Sequence, residues 1–342
     1  MKLMKSYWLL LCAAVSILPV SARNGNGDGA IFQAIRNNDM LLVHKLIEDG
    51  ASASQARPDG TTPLMHAALY SNVPCMRLLM EHGADPNAAN AAGATALMWS
   101  VHDPAKVALL LDKGADVKAR TKAGRTALLI AARQQGSADV IRMLLAKGAD
   151  PKDKDEMGGT ALMLAAEAGD LEIVKLLVEK GVEIDAQAHP VFGAPRFGNL
   201  MPDFVKAHSG EPPAGPTALT LAVAADNADV VRFLLEHGAK VNVRALGGFN
   251  PLLVSARHKQ TAIVRMLLAA RADPNSREYR GATPLIAAAA SDDFSTEMIA
   301  LLLDAGADPR AKDNSGQTAL DWAMKRGETA VTGMLRKAVE AQ

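Results

Sequence analysis

Short segments with a helical spacing of apolar residues recur in pairs along the chain. In one of them, Ile173 and Val174 stand four and three positions before Leu177, the spacing of a helix that buries a single face. The segment before it contains the pair Ala165-Ala166, whose small side chains let neighbouring helices approach closely. The pattern predicts pairs of helices, and the second helix of each pair carries the apolar stripe.

The paired segments repeat with a period of about 33 residues. Each copy has a glycine, then a Thr-Pro-Leu-like tripeptide two residues later, and a Gly-Ala-Asp-like turn further on. A fixed period in this range predicts a solenoid, because one such unit cannot bury its apolar face alone. The leading glycines are 33, 31, 34, 57, 33, 33 and 35 residues apart, and they are Gly60, Gly93, Gly124, Gly158, Gly215, Gly248, Gly281 and Gly316.

The residue types at the ends of the predicted helices fit the physical needs of those positions. Threonines such as Thr62 and Thr160 stand where an N-cap is required, and their hydroxyls can accept a free backbone N–H. Pro63 follows at the first helical position, where a missing N–H costs nothing. Glycines are expected to end the second helices in a left-handed conformation, and these are Gly83, Gly148, Gly181, Gly238 and Gly306.

The repeated unit resembles the ankyrin repeat, and the resemblance covers nearly the whole chain after its first residues. It implies an all-α repeat solenoid of stacked helix-turn-helix units joined by hairpin loops, with a non-catalytic role in binding. In one departure, the family's usual histidine after Thr-Pro-Leu is absent, so apolar packing is expected to replace its hydrogen bonds between repeats. The matching segments of the first clear copy are Thr62-Pro63-Leu64, Ala67-Ala68, Leu78-Leu79 and Gly83-Ala84-Asp85.

The first 22 residues have the pattern of a cleaved signal peptide. Two lysines form a positive n-region, and an apolar run of fourteen residues extends from Tyr7 to Val20. The run is too short for an ordinary membrane-spanning helix, and small residues favour cleavage between Ala22 and Arg23. The segment therefore predicts export, to the periplasm of a bacterium or, alternatively, by secretion.

The remaining chain is expected to form a flexible linker over residues 23–28 and a single solenoid of about nine units over residues 29–342. One interval between leading glycines is 57 residues, which is 24 more than the usual 33. The extra segment, roughly residues 187–213, is rich in proline and contains Phe192, Phe197 and Phe204. Three interpretations remain open: the loop folds back onto the solenoid, contacts a partner, or is disordered.

Composition and charge exclude some kinds of partner. The chain has 37 basic and 37 acidic residues, whereas a surface for nucleic acid or anionic membrane needs a basic excess. After removal of the signal segment Cys75 is the one remaining cysteine, expected as a small buried apolar residue and not as a reactive thiol. We therefore expect a monomer that binds another protein, with no nucleic acid and no membrane span in the mature chain.

No motif for catalysis, a metal or a cofactor is found in the sequence. A Gly/Asn/Asp-rich stretch at residues 24–29 resembles the start of a calcium loop, but Ile35 stands where a bidentate glutamate is required. The acidic stretch at residues 153–156 is interpreted as a solvated hairpin tip, since Met157 breaks any series of ligands. The sequence thus predicts neither cofactor nor metal and a protein that is not an enzyme.

Binding by the resemblance would use the hairpin tips and the exposed ends of the first helices, which line the concave groove of the family. The favoured function is a protein–protein interaction module. Two alternatives are an inhibitor or immunity-like protein that neutralises an enzyme or toxin, and a small-ligand binder or enzyme with a pocket under the insertion. The candidate partner-binding residues are Tyr70, His102, Lys122, Arg125, Arg133, Gln134, Glu167, Phe192, Phe197, Phe204, Phe249, Arg257, His258, Tyr279 and Arg280.

Overall fold

A computed structural model of the chain describes residues 28–189, 214–291, 295–325 and 327–341. In this part of the chain, 18 α-helices follow one another as pairs, and no strand is present beyond two isolated bridges. The predicted all-α repeat solenoid is confirmed. The helices are α1 Asp28–Arg36, α2 Met40–Glu48, α3 Pro63–Tyr70, α4 Val73–Glu81, α5 Ala96–Trp99, α6 Pro104–Asp112, α7 Ala127–Ala132, α8 Ala138–Ala146, α9 Ala161–Ala168, α10 Leu171–Glu179, α11 Ala218–Ala224, α12 Ala228–Glu236, α13 Pro251–Arg257, α14 Thr261–Ala269, α15 Pro284–Ala289, α16 Thr296–Asp304, α17 Ala319–Met324 and α18 Ala330–Glu340.

The helices form two rows. The odd-numbered, or first, helices each pack against the next odd-numbered helix, and the even-numbered, or second, helices do the same. The apolar stripe of each second helix faces the first-helix row, so one continuous core extends through the stack. In α9 the alanines Ala165 and Ala166 are completely buried, as expected where two helices approach closely.

The insertion does not interrupt this stack. Helix α9, before the insertion, packs directly against α11, which follows it. The described residues on either side of the insertion therefore meet at one hairpin. The residues between 189 and 214, and with them Phe192, Phe197 and Phe204, lie outside the described part of the chain.

The predicted caps begin and end the helices. The hydroxyls of Thr62, Thr126 and Thr160 accept the N–H of the residue three positions on, at 3.2, 3.3 and 3.2 Å. Thr95 holds the same N-cap position but its hydroxyl makes no cap hydrogen bond. The five glycines expected after the second helices all have left-handed φ angles, from 69° to 93°.

Polar side chains join neighbouring units at the C-terminal ends of the first helices. Lys106, only 5% exposed, donates through Nζ to the carbonyl of Ala68 in the preceding unit, at 2.9 Å. Gln260 donates through Nε2 to the carbonyl of Val223, at 2.8 Å. Both carbonyls lie in the last turn of a first helix, where the regular i to i+4 hydrogen bonds end. The repeats are thus joined by polar bonds as well as by apolar packing, which the sequence interpretation did not include.

Cys75 is completely buried in α4, and burial raises the pKa of its thiol. The thiol therefore remains protonated and packs as a small apolar group, as predicted. No helix in the described ranges has both the length and the apolar character needed to cross a bilayer.

Candidate functional site

The hairpin tips form a continuous edge along the solenoid. The amide of Lys122 donates to the carbonyl of Ala92 in the preceding tip at 2.8 Å. Further along the chain, the backbone amide of Asn314 donates to the carbonyl of Arg280 at 2.8 Å. Gly124 shows why the leading residue is glycine: its φ is +72°, and a Cβ atom there would lie 2.9 Å from a backbone nitrogen of the next tip. The edge therefore holds its exposed side chains in a fixed register.

Within most tips one polar side chain closes the turn. The Oδ1 atom of Asn90 accepts the amides two and four positions on, at 3.0 and 2.9 Å, and Asp313 makes the same pair of bonds at 2.8 and 3.0 Å. Asp155 is equivalent, and it is only 8% exposed. The expectation of a fully solvated tip at residues 153–156 is therefore wrong for Asp155, because two amides bind its carboxylate inside the turn.

The two ends of the insertion are held together at this edge. The amide of Ala188 donates to the carbonyl of Pro216 at 3.3 Å. The side chain of Gln187 donates to the carbonyls of Gly215 and Arg244, both at 3.2 Å, so it links three backbone segments. The insertion consequently begins and ends on the same edge as the candidate binding residues.

The candidate binding residues differ in how much surface they offer. Phe192, Phe197, Phe204 and the cleavage residues Ala22 and Arg23 lie outside the described ranges. Partly buried side chains are those of Arg125, Gln134, Glu167 and Tyr279. Exposed side chains at the tips and at the C-terminal ends of first helices are those of Tyr70, His102, Lys122, Arg133, Arg257, His258 and Arg280.

Phe249 is not on the exposed surface. Its side chain is 6% exposed and belongs to the core, and its ring centroid lies 6.5 Å from that of Tyr279. The expected exposure of Phe249 is wrong, because the residue immediately precedes the N-cap of α13, Asn250, where the chain turns into the core. Tyr279 remains partly exposed, and the guanidinium of Arg280 lies 5.2 Å from the centroid of its ring.

A cluster at the first two units contains one residue selected from the sequence, Tyr70, and four that were not selected. We call Phe32, Arg36, Arg57, His66 and Tyr70 the basic-aromatic cluster. The ring of His66 lies edge-on to Phe32 at 5.3 Å and 4.7 Å from Tyr70. The two guanidinium groups cover the outer rings, Arg57 at 4.0 Å from the Phe32 centroid and Arg36 at 5.7 Å from that of Tyr70.

His66 is neutral in this setting. Burial lowers its pKa to about 4, and the positive charges of Arg57 and Arg36 act in the same direction. The side chain is 3% exposed, and its Nε2 atom is buried without a hydrogen-bond partner. The cluster therefore carries two positive charges above a neutral aromatic base.

The repeat register contains a signal for this cluster. His66 stands four residues after its helix N-cap, where later units have Leu164 and Leu221. Arg57 stands at the turn-closing position that Asn90 and Asp155 hold in other tips. Aligning the units position by position would thus have marked both residues as exceptions.

Among the described residues, no group of three or more His, Cys, Asp or Glu side chains is placed to hold a metal ion. The polar groups of the edge and of the basic-aromatic cluster are instead arranged along an open surface. Such an arrangement provides hydrogen bonds, charges and aromatic faces to a second macromolecule.

Comparison with known proteins gives matches over nearly all of the described chain. The family model described as "Ankyrin repeats (3 copies)" matches residues 31–121, 102–188, 196–278 and 270–341. A fowlpox virus (strain NVSL) protein named for ankyrin repeats, FPV031, is 33% identical over 141 residues, which are 36% of this chain and 41% of that protein.

Two cellular proteins match over shorter regions. The human mitochondrial disaggregase is 36% identical over 77 residues, 22% of this chain and 11% of its own length. The potassium channel AKT3 of Oryza sativa subsp. japonica is 42% identical over 72 residues, 20% of this chain and 8% of its own length. The chain thus spans less than half the length of each of these three relatives.

Proposed function

The chain belongs to the ankyrin repeat family, and from this premise we propose that it is a non-catalytic module that binds a partner protein through the edge of its hairpin tips and first-helix ends. Ankyrin repeats generally mediate protein–protein interactions and are typically non-catalytic. The observation that carries the proposal is the hydrogen-bonded edge, which holds exposed side chains from successive units in register. A partner can contact many units at once on such a surface.

The residue types along the edge support a protein partner. Tyrosine and arginine contribute most often to interface energy, and Tyr70, Arg133 and Arg280 provide them at separate units. Acidic and basic groups are mixed along the chain, with 37 of each, so the surface lacks the basic excess that binds a polyanion. The ends of the insertion lie on the same edge, and we propose that its three phenylalanines contribute to the same binding surface.

We also propose that the protein acts after export. The support is the sequence of the first 22 residues, with its positive n-region, apolar run and small-residue cleavage site. Expression of the full chain in a bacterium with N-terminal sequencing of the envelope fraction tests this proposal. The expected result is a protein that begins at Arg23, and an intact N-terminus in the cytoplasmic fraction would contradict it.

Affinity capture from an envelope extract tests the binding function. The bait is the chain from residue 23 onward, and one variant carries Arg133→Ala with Arg280→Ala, which removes two exposed side chains from the edge. A matched control carries Arg142→Ala with Arg232→Ala on the second-helix row. We expect a specific partner to be captured by the wild type and the control and to be lost from the edge variant.

A further variant separates the insertion from the edge. Replacement of residues 190–213 by a short Gly-Ser turn should preserve the helical circular dichroism, because α9 packs directly against α11. Loss of the partner from this variant would assign recognition to the insertion, and retention would assign it to the edge. Capture of no specific protein by the wild-type bait would contradict the proposed function.

A further inference from the structure

The two arginines of the basic-aromatic cluster reach the surface, since Arg36 is exposed and Arg57 is only partly buried. We propose that this cluster binds an acidic segment of the partner protein, whose carboxylates pair with Arg36 and Arg57 above the aromatic base. This inference rests on the proposed function and adds the chemistry of the partner at one end of the surface.

The cluster is built by equivalent positions on two neighbouring helices. Phe32 and Arg36 are four residues apart on α1, and His66 and Tyr70 are four residues apart on α3, so each pair lies on one helix face. Arg57 comes from the hairpin between the two helices and lies 4.0 Å from the Phe32 ring centroid. Three separate segments thus place five side chains at one point of the first-helix row.

Arg57 is directed to this point by the hairpin itself. At the equivalent position of other tips an Asn or Asp side chain folds back onto its own turn, as Asn90 does. In this tip the side chain of Asp59 accepts the amide of Thr61 at 2.9 Å instead. The Arg57 side chain is consequently free of the turn and extends over the first-helix face.

Within the described ranges, neither Arg36 nor Arg57 forms an ion pair. Two arginines on the second helices differ in this respect: Arg232 pairs with Asp229 at 3.1 Å, and Arg265 pairs with Glu297 at 2.6 Å. The cluster therefore has two guanidinium groups with unused donors, whereas those of Arg232 and Arg265 already have carboxylate partners. An incoming carboxylate would restore the pairing that is missing here.

The electrostatics favour an anion at this place. Burial lowers the pKa of Arg57, and the nearby positive charge of Arg36 lowers it further, an effect that the carboxylate of Asp59 only partly opposes. The neutral ring of His66 does not compensate either charge. A carboxylate between the two guanidinium groups reduces their mutual repulsion in a partly water-excluded setting, where such pairs are stronger than in water.

A peptide ligand suits the cluster better than a nucleic acid. Two arginines provide only a local positive charge, and the chain as a whole has no excess of basic over acidic residues. Binding of a nucleic acid depends on many such charges. Tyr70 is 45% exposed beside the guanidinium groups and offers an apolar face to the side chain next to a carboxylate. An acidic segment with apolar neighbours therefore fits both parts of the cluster.

Fluorescence anisotropy tests this inference with a labelled peptide of four Gly-Glu repeats. The control peptides contain four Gly-Gln or four Gly-Lys repeats. In a separate competition experiment sodium phosphate is added, and sodium chloride at the same ionic strength serves as its control. The variants are Arg36→Gln with Arg57→Gln, the charge-conserving pair Arg36→Lys with Arg57→Lys, and Arg77→Gln on the opposite row as a matched control. Circular dichroism establishes that each variant is folded.

The wild type and the Arg77→Gln control are expected to bind the Gly-Glu peptide, and the double glutamine variant to bind it at least about ten-fold more weakly. The double lysine variant should bind with intermediate affinity, because lysine keeps the charge but loses the planar donor pair. The inference would be overturned if the wild type and the double glutamine variant bound the Gly-Glu peptide equally, or if the wild type did not bind it. It would also be overturned if phosphate displaced the peptide and sodium chloride of equal ionic strength did not.

The failure of this inference can be told from failure of the proposed function. If the wild-type bait captures a partner and the double glutamine variant captures it equally, the acidic-segment site is wrong while the binding function stands. If no bait captures a partner, the function itself is contradicted. Loss of the captured partner from the double glutamine variant alone supports both.

Discussion

Single residues that look identical in the sequence have different energetic roles in the repeats. Thr160 and Thr95 are both N-caps of a first helix, and both are buried, at 6% and 4% exposed. The hydroxyl of Thr160 accepts an amide at 3.2 Å, whereas that of Thr95 has no hydrogen-bond partner. A satisfied and an unsatisfied buried hydroxyl should respond differently to removal.

Substitution by valine, which keeps the shape and removes the hydroxyl, measures this difference. Thr160→Val should lower the free energy of unfolding by about 1 kcal/mol, the usual value of a helix cap. Thr95→Val should be neutral or slightly stabilising, because no hydrogen bond is lost and a buried unpaired group is removed. Urea unfolding followed by circular dichroism gives both values, and equal losses at the two positions would contradict this assignment.

His66 gives the solenoid a predicted dependence on pH. Its pKa in the folded protein is about 4, below the ordinary 6.5, because of burial and of the charges of Arg57 and Arg36, which Asp59 only partly opposes. Below pH 6.5 the unfolded chain binds more protons than the folded one, so stability falls as the pH drops from about 6.5 to about 4 and is unaffected above that range.

Unfolding in urea near pH 7 and near pH 5 measures this effect. From pH 7 to pH 5 the free energy of unfolding of His66→Leu should fall by about 1–2 kcal/mol less than that of the wild type, since leucine does not titrate. Leucine stands at this position in two other units. His44→Gln is the control, because His44 is exposed and pairs with Glu48 on the surface. An unchanged pH response in His66→Leu would exclude the assignment.

The sequence predicts the residues that act within one unit better than those that act between units. The caps at Thr62 and Thr160 depend on a hydrogen bond three residues away, and both were predicted correctly. Lys106 bonds to a residue 38 positions away, and its role follows only from the stacking of two units. The exposure of Phe249 was wrongly predicted for the same reason, since its burial depends on neighbouring elements.

At the scale of elements, the stack of first helices is independent of the insertion. The segments at residues 187–189 and 214–216 meet closely, and the helices on either side pack as neighbouring repeats do. The period of the leading glycines predicted the insertion and its place in a hairpin. The contact between its two ends could not be predicted, because spacing shows the length of a loop and not the path of its backbone.

Gly215 tests the closure of the insertion. A Cβ atom at this position would lie 2.1 Å from the carbonyl oxygen of Ala188, a backbone atom that cannot move aside by a rotamer change. Gly215→Ala should therefore destabilise the protein by about 1–3 kcal/mol and weaken the contact between the two ends. The measurement is urea unfolding, with hydrogen exchange of the amide of Ala188 as a local signal.

Gly333 provides the matched control, because it lies inside helix α18 with nothing within 4 Å of the added Cβ. Gly333→Ala should stabilise the protein by about 0.5–1 kcal/mol, the gain in helix propensity. The same chemical change is thus expected to have opposite signs at the two positions. A loss of stability at Gly333 or no loss at Gly215 would show that the described close approach is incorrect.

At the scale of the whole molecule, the repeat period was sufficient to predict the fold and insufficient to predict the partner. Core positions recur in every unit because each must fill the same space, and this recurrence makes them visible in the sequence. Exposed surface positions such as Arg133 are not constrained by the packing of the core, so they follow no period. The basic-aromatic cluster is found only by asking where a unit departs from the common pattern.

Hydrogen–deuterium exchange of the chain with and without its captured partner tests the central claim most directly. We predict slower exchange at the hairpin tips around residues 90–94, 121–125 and 278–282 and at the C-terminal ends of the first helices. Second helices α4, α8 and α12 should exchange as in the free protein. Protection confined to those second helices, with the tips unchanged, would contradict the proposal that the edge of the solenoid binds the partner.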